Sequence, residues 1–437
     1  VRTVRRATAV AAVGLLLGGW VPPASAEVDL GGQPVDGSTN PAEPTEIGAG
    51  LWTTSLGVQA QAQYFTYERQ VQDSTIHVGV MGAPQNPDGD GLELSASVPG
   101  TDDPSPVDCG GDYDTSASST PHAVIGAAEV VGDESDECRE AALVTIMVRR
   151  YSSSSAGELP VGIKVVEEAP VSDPGERLPE DSELTIQPPD PVEPADEPQG
   201  AESFDDAPVV DASSGPVTIA AEVTEGTEEL WRVPLDWGDR LAVSADLAAT
   251  EDEELASTTV QLHLVQPSRD VFDPTAGDDY SYADFGPEDE RAVVGTYPLR
   301  YENRVDDLLP TLPGDHWVSL SVEGPDEGVA AVDVPVELTL EVTSTDAAPP
   351  TYQDAVIGQG GDAGPEGYSP EVPYLVGDGE FAADASGNPF TPDDADDEWW
   401  GARRAAGLGL GVVSVACCVA GAVWLRSRRT NRAAASR

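Results

Sequence analysis

Eight short runs of this chain alternate apolar and polar residues with a period of two, with no helical stretch between them. In the first half they are Ile76, Val78 and Val80; Leu92, Leu94, Ala96 and Val98; Val144, Ile146 and Val148; and Val161, Ile163 and Val165. The second half has Leu241, Val243 and Ala245; Val260, Leu262 and Leu264; Val318, Leu320 and Val322; and Val336, Leu338, Leu340 and Val342. Successive side chains of a strand point to opposite faces, so each run predicts a strand with one buried face. Clusters of Gly, Pro and Asp bound the runs, the mark of antiparallel strands joined by turns. The expected fold is mainly β: two tandem β-sandwich or jelly-roll domains, at 44–168 and 207–345, followed by one C-terminal transmembrane helix. At about 125 to 140 residues, each domain is long enough for its own core.

The halves also match in order. QYFTYERQVQDSTIHVGVM, from Gln63, aligns with ELWRVPLDWGDRLAVSADL, from Glu229: an aromatic strand, a polar turn and an alternating strand. ALVTIMVRR, from Ala142, answers HWVSLSVEG, and LPVGIKVVEE, from Leu159, answers VPVELTLEV. Identity is low, but the shared order predicts a duplicated sandwich.

The ends of the sequence speak for a membrane. Residues 405–425 carry no charge, and as a helix they would reach roughly 31 Å, enough to cross a bilayer. Arg426, Arg428 and Arg429 follow at once, and Trp399 and Trp400 precede the span behind a run of acids. Basic flanks stay cytoplasmic and tryptophans sit at the headgroups, so the tail 426–437 is expected inside and the rest outside. Residues 1–26 read as a signal peptide: arginines, an apolar run, then Ala24-Ser25-Ala26. The remaining segments are a disordered leader at 27–43, a proline- and acid-rich linker at 169–206 and an acidic stalk at 346–402. Gly407 and Gly411 form G-x-x-x-G, which would let two such helices approach as a homodimer. No L-P-x-T-G motif precedes the span, so the anchor is expected to stay in the membrane.

Charge and cysteine content narrow the partners. The chain carries net −57, and all 79 of its acids lie between Glu27 and Ala402. A surface this acidic repels phosphate backbones, which excludes nucleic acid as a partner. Outside the span the only cysteines are Cys109 and Cys138; in an exported protein they predict one disulfide. Closing that loop stabilises by roughly 3 kcal/mol on the chain-entropy account.

Catalytic signatures are missing: there is no G-x-S-x-G, H-E-x-x-H, Walker loop or exported C-x-x-C. His77 and His263 fall on outward positions of alternating strands and are expected at the surface; His122 and His316 have no obvious partner. Acidic loops offer the candidate ligand sites. Asn86-Pro-Asp88-Gly-Asp90-Gly91 imitates the start of a calcium loop, but Ser97 stands where the bidentate Glu belongs, so a hairpin turn is favoured. Between residues 270 and 290, Asp273, Asp278, Asp279 and Asp284 cluster around Tyr280, Tyr282 and Phe285. That group suits Ca2+ or a sugar ring, with a solvated loop as the simpler reading.

LWRVPLDWGDRLAVSADL, an aromatic strand and a Gly-Asp-Arg-Leu turn before an alternating strand, resembles the pre-peptidase C-terminal domain family of secreted bacterial β-sandwich modules. Together with YPLRYENRVDDLLPTLPGDHWVSLSV it is similar to ectodomains of actinobacterial membrane proteins associated with von Willebrand factor A domains. The D-x-S-x-S metal-adhesion motif of the A domain itself is absent here, so the resemblance implies only an accessory module that docks or presents, with no catalytic residues to carry over. The function expected from the sequence is a non-enzymatic, single-pass plasma-membrane protein displaying two β-sandwiches outside the cell to bind an envelope protein or a glycan. The alternative is an extracytoplasmic hydrolase with an unrecognised site.

Overall fold

A computed structural model describes residues 28–353, with breaks at 58–60, 85–88, 101–104, 118, 121, 133–134, 152–156, 177–185, 195–197, 250–257, 273, 275–279, 306–310, 326–328 and 347, and also residues 374–375. The signal-like segment, the span 405–425, Trp399, Trp400, Arg426, Arg428, Arg429, Gly407 and Gly411 lie outside the described residues. Among the described residues, no helix is long and apolar enough to cross a membrane.

The first sandwich is built from β1 (Gly50–Leu56), β2 (Ala62–Glu68), β3 (Thr75–Gly82), β4 (Gly91–Pro99), β5 (Pro106–Thr115), β6 (Ile125–Val131), β7 (Leu143–Arg150) and β8 (Leu159–Glu168). Its sheets run β1-β8-β3-β6 and β2-β7-β4-β5. The second repeats the plan with β9 (Val217–Thr224), β10 (Glu228–Leu235), β11 (Asp239–Leu247), β12 (Thr259–Val265), β13 (Tyr282–Asp284), β14 (Glu290–Gly295), β15 (Gly314–Val322) and β16 (Asp333–Ser344). Its sheets run β9-β16-β11-β14 and β10-β15-β12, with β13 and the short Val271–Phe272 segment both on the far edge of β12. Each strand of the second half thus takes the place of the strand eight earlier, and the order in both is that of a jelly roll. The alternating residues fill the two cores: Ile76, Val78, Val80, Val161 and Ile163 in one, and Val243, Leu262, Leu320 and Leu338 in the other.

Alternation alone does not describe β3, β8 and β15. All of β3 and β15, and all of β8 but Pro160, are buried, because the sandwiches stack face to face. The outer side of β1-β8-β3-β6 lies against that of β10-β15-β12, giving four layers with a third apolar cluster in the middle. Met81, Ala83 and Val124 meet Leu230, Val265 and Trp317 there. Two glycines permit the approach. A methyl at Gly79 would collide with the Ser268 carbonyl oxygen, and one at Gly126 would lie 2.6 Å from that of Arg269. The Arg269 side chain is sealed in this layer, its guanidinium 4.1 Å from the Phe204 ring centroid and 4.8 Å from that of Trp317.

Two expectations are corrected here. The described part of 27–43 is not a disordered leader: Val28 and Leu30 are buried in the middle layer, and Gln33–Pro34 pair in parallel with β1. Burying an aliphatic side chain is worth about 1.5–3 kcal/mol, enough to order a short segment beside an existing sheet edge. His77 is not at the surface: it does face out of its own sandwich, but the second sandwich covers it, leaving it 1 % exposed. The linker 169–206 also does more than connect. Ile186 packs on Val293, Gln199 hydrogen-bonds Ala220 and Glu222 along the edge of β9, and Phe204 inserts between the sandwiches, edge-on to Trp317.

Candidate functional site

The face of the first sandwich turned away from the second is the sheet β2-β7-β4-β5. Strand β5 lies at its edge, and its sequence Asp112-Tyr113-Asp114 sets the arrangement. Asp114 accepts a hydrogen bond from the Gly126 amide at 3.0 Å and Asp112 from the Ala128 amide at 3.3 Å, both on β6. The carboxylates thereby satisfy amides on the open edge of the opposite sheet, a requirement of any exposed edge. The alternation then points Tyr113 outward. The Cys109–Cys138 disulfide, with Cα atoms 5.8 Å apart, ties the same strand to the helix α1 (Asp136–Glu140), as the sequence predicts.

Tyr113 starts a row across three strands: it is opposite Glu93 on β4, which is opposite Arg149 on β7. Arg149 Nε donates to Glu93 Oε2 at 3.0 Å. That hydrogen bond raises the guanidinium pKa against the effect of partial burial, and Tyr64 and Tyr151 lie close enough to contribute. The Tyr113 and Tyr151 rings are 5.3 Å apart and tilted by 37°. They remain 64 % and 48 % exposed, beside an ion pair held in register. Aromatic faces next to a fixed donor–acceptor pair form a surface that can stack on a ligand ring and hydrogen-bond its substituents.

None of these four residues was singled out by sequence. The Gly-Gly-Asp-Tyr-Asp stretch looks like a turn, and only the period-two placing of Tyr113 between two acids could have marked it as a strand. A second exposed pair, Tyr280 and Tyr282, with centroids 5.4 Å apart, belongs to the loop that sequence did single out.

The proposed calcium ligands are not assembled among the described residues. Asp90 is 2 % exposed and its carboxylate faces Arg150, with Oδ1 accepting from Nε at 2.7 Å and Oδ2 from Nη2. Arg150 Nη1 continues to the Gly57 and Gly157 carbonyls, so this pair fastens three loops together. Asp284 accepts from the Thr259 hydroxyl. Asp88, Asp273, Asp278 and Asp279 lie outside the described residues. Among the described residues, no group of three or more His, Cys, Asp or Glu side chains could hold a metal ion.

The strongly perturbed groups sit between or beneath the sandwiches. Glu168 accepts from Arg304 at 2.8 Å, contacts His77 Nε2 at 2.7 Å and accepts from the Tyr352 hydroxyl at 2.8 Å. Burial alone would raise its pKa, but Arg304 and His77 overcome that and bring it down to about 2. Glu228 accepts from the Ser319 hydroxyl and from the Val124 amide of the other sandwich; burial pushes it up to about 7. Burial likewise raises Asp315 to about 7 against the pull of Arg232, and lowers His316 to about 4. A His–carboxylate pair can serve as base and orienter, but His77 and Glu168 are 1 % and 0 % exposed and reach no solvent in this arrangement.

No family model and no curated protein matches the chain. Solved structures that align include the plant receptor-like kinase FER, at 13 % identity and TM-score 0.19 over 67 % of this chain and 83 % of that one. The ANX2 ectodomain from Arabidopsis thaliana aligns at 9 % identity and TM-score 0.18, over 69 % and 91 %. The CUB1-EGF-CUB2 domains of rat MASP-1 align at 8 % and 0.16, over 68 % and 99 %. Similarities at this level support no argument about fold or function.

Proposed function

We propose that this chain is a non-enzymatic, single-pass cell-surface protein whose two jelly rolls form one body, and that the outward sheet of the first binds a cell-wall glycan or an envelope protein. The single observation behind this reading is the tyrosine face. Tyr113 and Tyr151 stand exposed beside the Glu93–Arg149 pair, while the equivalent sheet of the second sandwich is spent on the contact between the two. A glycan fits this face better than a protein does. A pyranose ring places its C–H face on an aromatic ring, and its hydroxyls can both accept from Arg149 and donate to Glu93. The membrane anchor at 405–425, the signal segment and the resemblance to accessory sandwich modules support display outside the cell.

The test is co-sedimentation of the full chain, in detergent, with purified cell-wall polysaccharide. Replacing both Tyr113 and Tyr151 by Ala should reduce binding at least about tenfold, with melting unchanged. The Tyr280→Ala, Tyr282→Ala double variant should bind as the parent does. If neither polysaccharide nor isolated envelope proteins discriminate the Tyr113/Tyr151 variant from the parent, the face is not the site.

A further inference from the structure

The outer sheet of the second sandwich, β9-β16-β11-β14, carries a cleft unrelated to the tyrosine face. Its floor is a patch of β11 and β16, where Arg240 is opposite Thr343 and Ala242 is opposite Glu341. Small Ala242 leaves a depression between the longer side chains. Thr296, Tyr297 and Pro298, which follow β14, form one wall. Ile186 of the linker, 5 % exposed and packed on Val293 and Gly295, closes one side. The cleft opens to solvent and has a volume of about 200 Å³.

The two charges of this cleft do not meet. Arg240 Nε donates to the Thr343 hydroxyl at 2.6 Å, which turns the guanidinium along its own row. Glu341 sits on the diagonal, a position about 7–8 Å away across the strands. Among the described residues, Arg240 forms no ion pair, and the Glu341 carboxylate has neither an ion pair nor a hydrogen bond. Directly opposite charges such as Arg149 and Glu93 pair on the outer faces, whereas Arg240, which is exposed, and Glu341, which is half-buried, stand a diagonal apart. Here a cation and an anion line one cavity with an apolar gap between them.

We propose that this cleft binds a small zwitterion of the α-amino-acid class. Its carboxylate is held by the free edge of the Arg240 guanidinium, its ammonium by Glu341, and its side chain rests against Ile186 and Pro298. A guanidinium offers a planar fork matched to a carboxylate, and an ammonium supplies the donors that an unpartnered carboxylate lacks. The apolar surfaces of Ile186 and Pro298 select an aliphatic side chain over a charged one. A singly charged ligand would satisfy one end and leave the other as it is in the empty cleft.

The experiment is isothermal titration of the full chain, in detergent micelles, with L-leucine, N-acetyl-L-leucine and L-leucinamide. L-leucine should bind saturably, and each blocked derivative should bind at least about tenfold more weakly. Arg240→Ala should abolish binding, and Glu341→Gln should erase the preference for L-leucine over N-acetyl-L-leucine. Ala242→Leu fills the floor without touching either charge and should also abolish binding; it decides the matter if Arg240→Ala is poorly folded. The Tyr113/Tyr151 double variant should bind L-leucine as the parent does, which separates this site from the tyrosine face. No saturable heat up to about 50 mM L-leucine, or equal binding of the blocked derivatives, overturns the proposal.

Discussion

The same row of strands meets opposite fates in the two halves of the molecule. In the first sandwich, Tyr113, Glu93, Arg149 and Ala62 cross β5, β4, β7 and β2 and face water. In the second, Gln261, Ser321 and Glu228 cross β12, β15 and β10 and face the other sandwich, while Tyr282 on β13 stays exposed at the end of the row. Register and topology are shared; side-chain size and charge are not. The exposed row keeps a long ion pair, which at the surface contributes no more than about 1 kcal/mol. The covered row keeps polar groups that partner across the contact, as Gln261 does with the Thr120 hydroxyl and Glu228 with the Val124 amide. A duplicated fold can therefore become one body when a charged pair such as Glu93 and Arg149 is replaced at the equivalent positions by uncharged polar residues, here Gln261 and Ser321.

That contrast can be broken most strongly at Glu168, which joins β8 to His77, Arg304 and Tyr352. Glu168→Ala removes the buried carboxylate shared by Arg304, His77 and Tyr352 and should cost about 3–5 kcal/mol, read by denaturant unfolding. With its pKa held near 2 against an ordinary 4.5, Glu168 contributes stability above pH 4.5 that is lost as pH falls towards 2. The parent should therefore lose its advantage over a Glu168→Gln variant across that window.

Glu228 works in the opposite direction. Its folded pKa of about 7 lies above the ordinary 4.5, so its burial weighs on the fold increasingly as pH rises from 4.5 to 7 and levels off above. Gln at 228 can still accept from Val124 and donate to Ser319. Glu228→Gln should gain stability relative to the parent over that window, by up to about 3 kcal/mol at pH 7 and above. The contributions of Asp315 and His316 are common to both proteins and cancel in the difference. Melting curves at pH 5 and pH 8 that shift equally in parent and variant would refute the assignment.

A smaller effect is expected at Gly79, where a side chain collides with the turn that seats Arg269. Gly79→Val should cost about 1–3 kcal/mol, and hydrogen exchange should show the new exposure on β3 and β15 with both inner cores still protected. The smallest effect belongs to the exposed row. Tyr113→Ala with Tyr151→Ala should change stability by no more than about 0.5 kcal/mol while reducing polysaccharide binding, which is the signature of a surface kept for contact rather than for folding.

Much of each sandwich was legible from Ile76 to Val80 and from Val336 to Val342, because a half-buried strand shows its buried side as every second residue. The repeat was legible too: the paired segments are β2–β3 with β10–β11, β7 with β15 and β8 with β16. What alternation cannot show is a second burial of the polar-looking side. His77, Gly79, Lys164, Ser319 and Ser321 read as solvent-facing, and only the docking of another sheet distinguishes them from residues that are. Val28, Leu30 and Phe204 were hidden for a related reason: isolated apolar residues in proline- and acid-rich surroundings have no period, and their partners lie far away in sequence. The tyrosine face escaped because β5 is short of aliphatic residues and its inward positions carry acids.

The chain leaving the second sandwich does not run straight on. Thr351–Tyr352 pair with Val171–Asp173 just after β8, Gln353 hydrogen-bonds Pro170 and Val171, and the Tyr352 hydroxyl reaches Glu168. The second sandwich is thus a loop whose two ends are stapled together at the base of the first. Tension applied through the segment beyond residue 353 is borne by this staple, and until it tears the second sandwich carries no load.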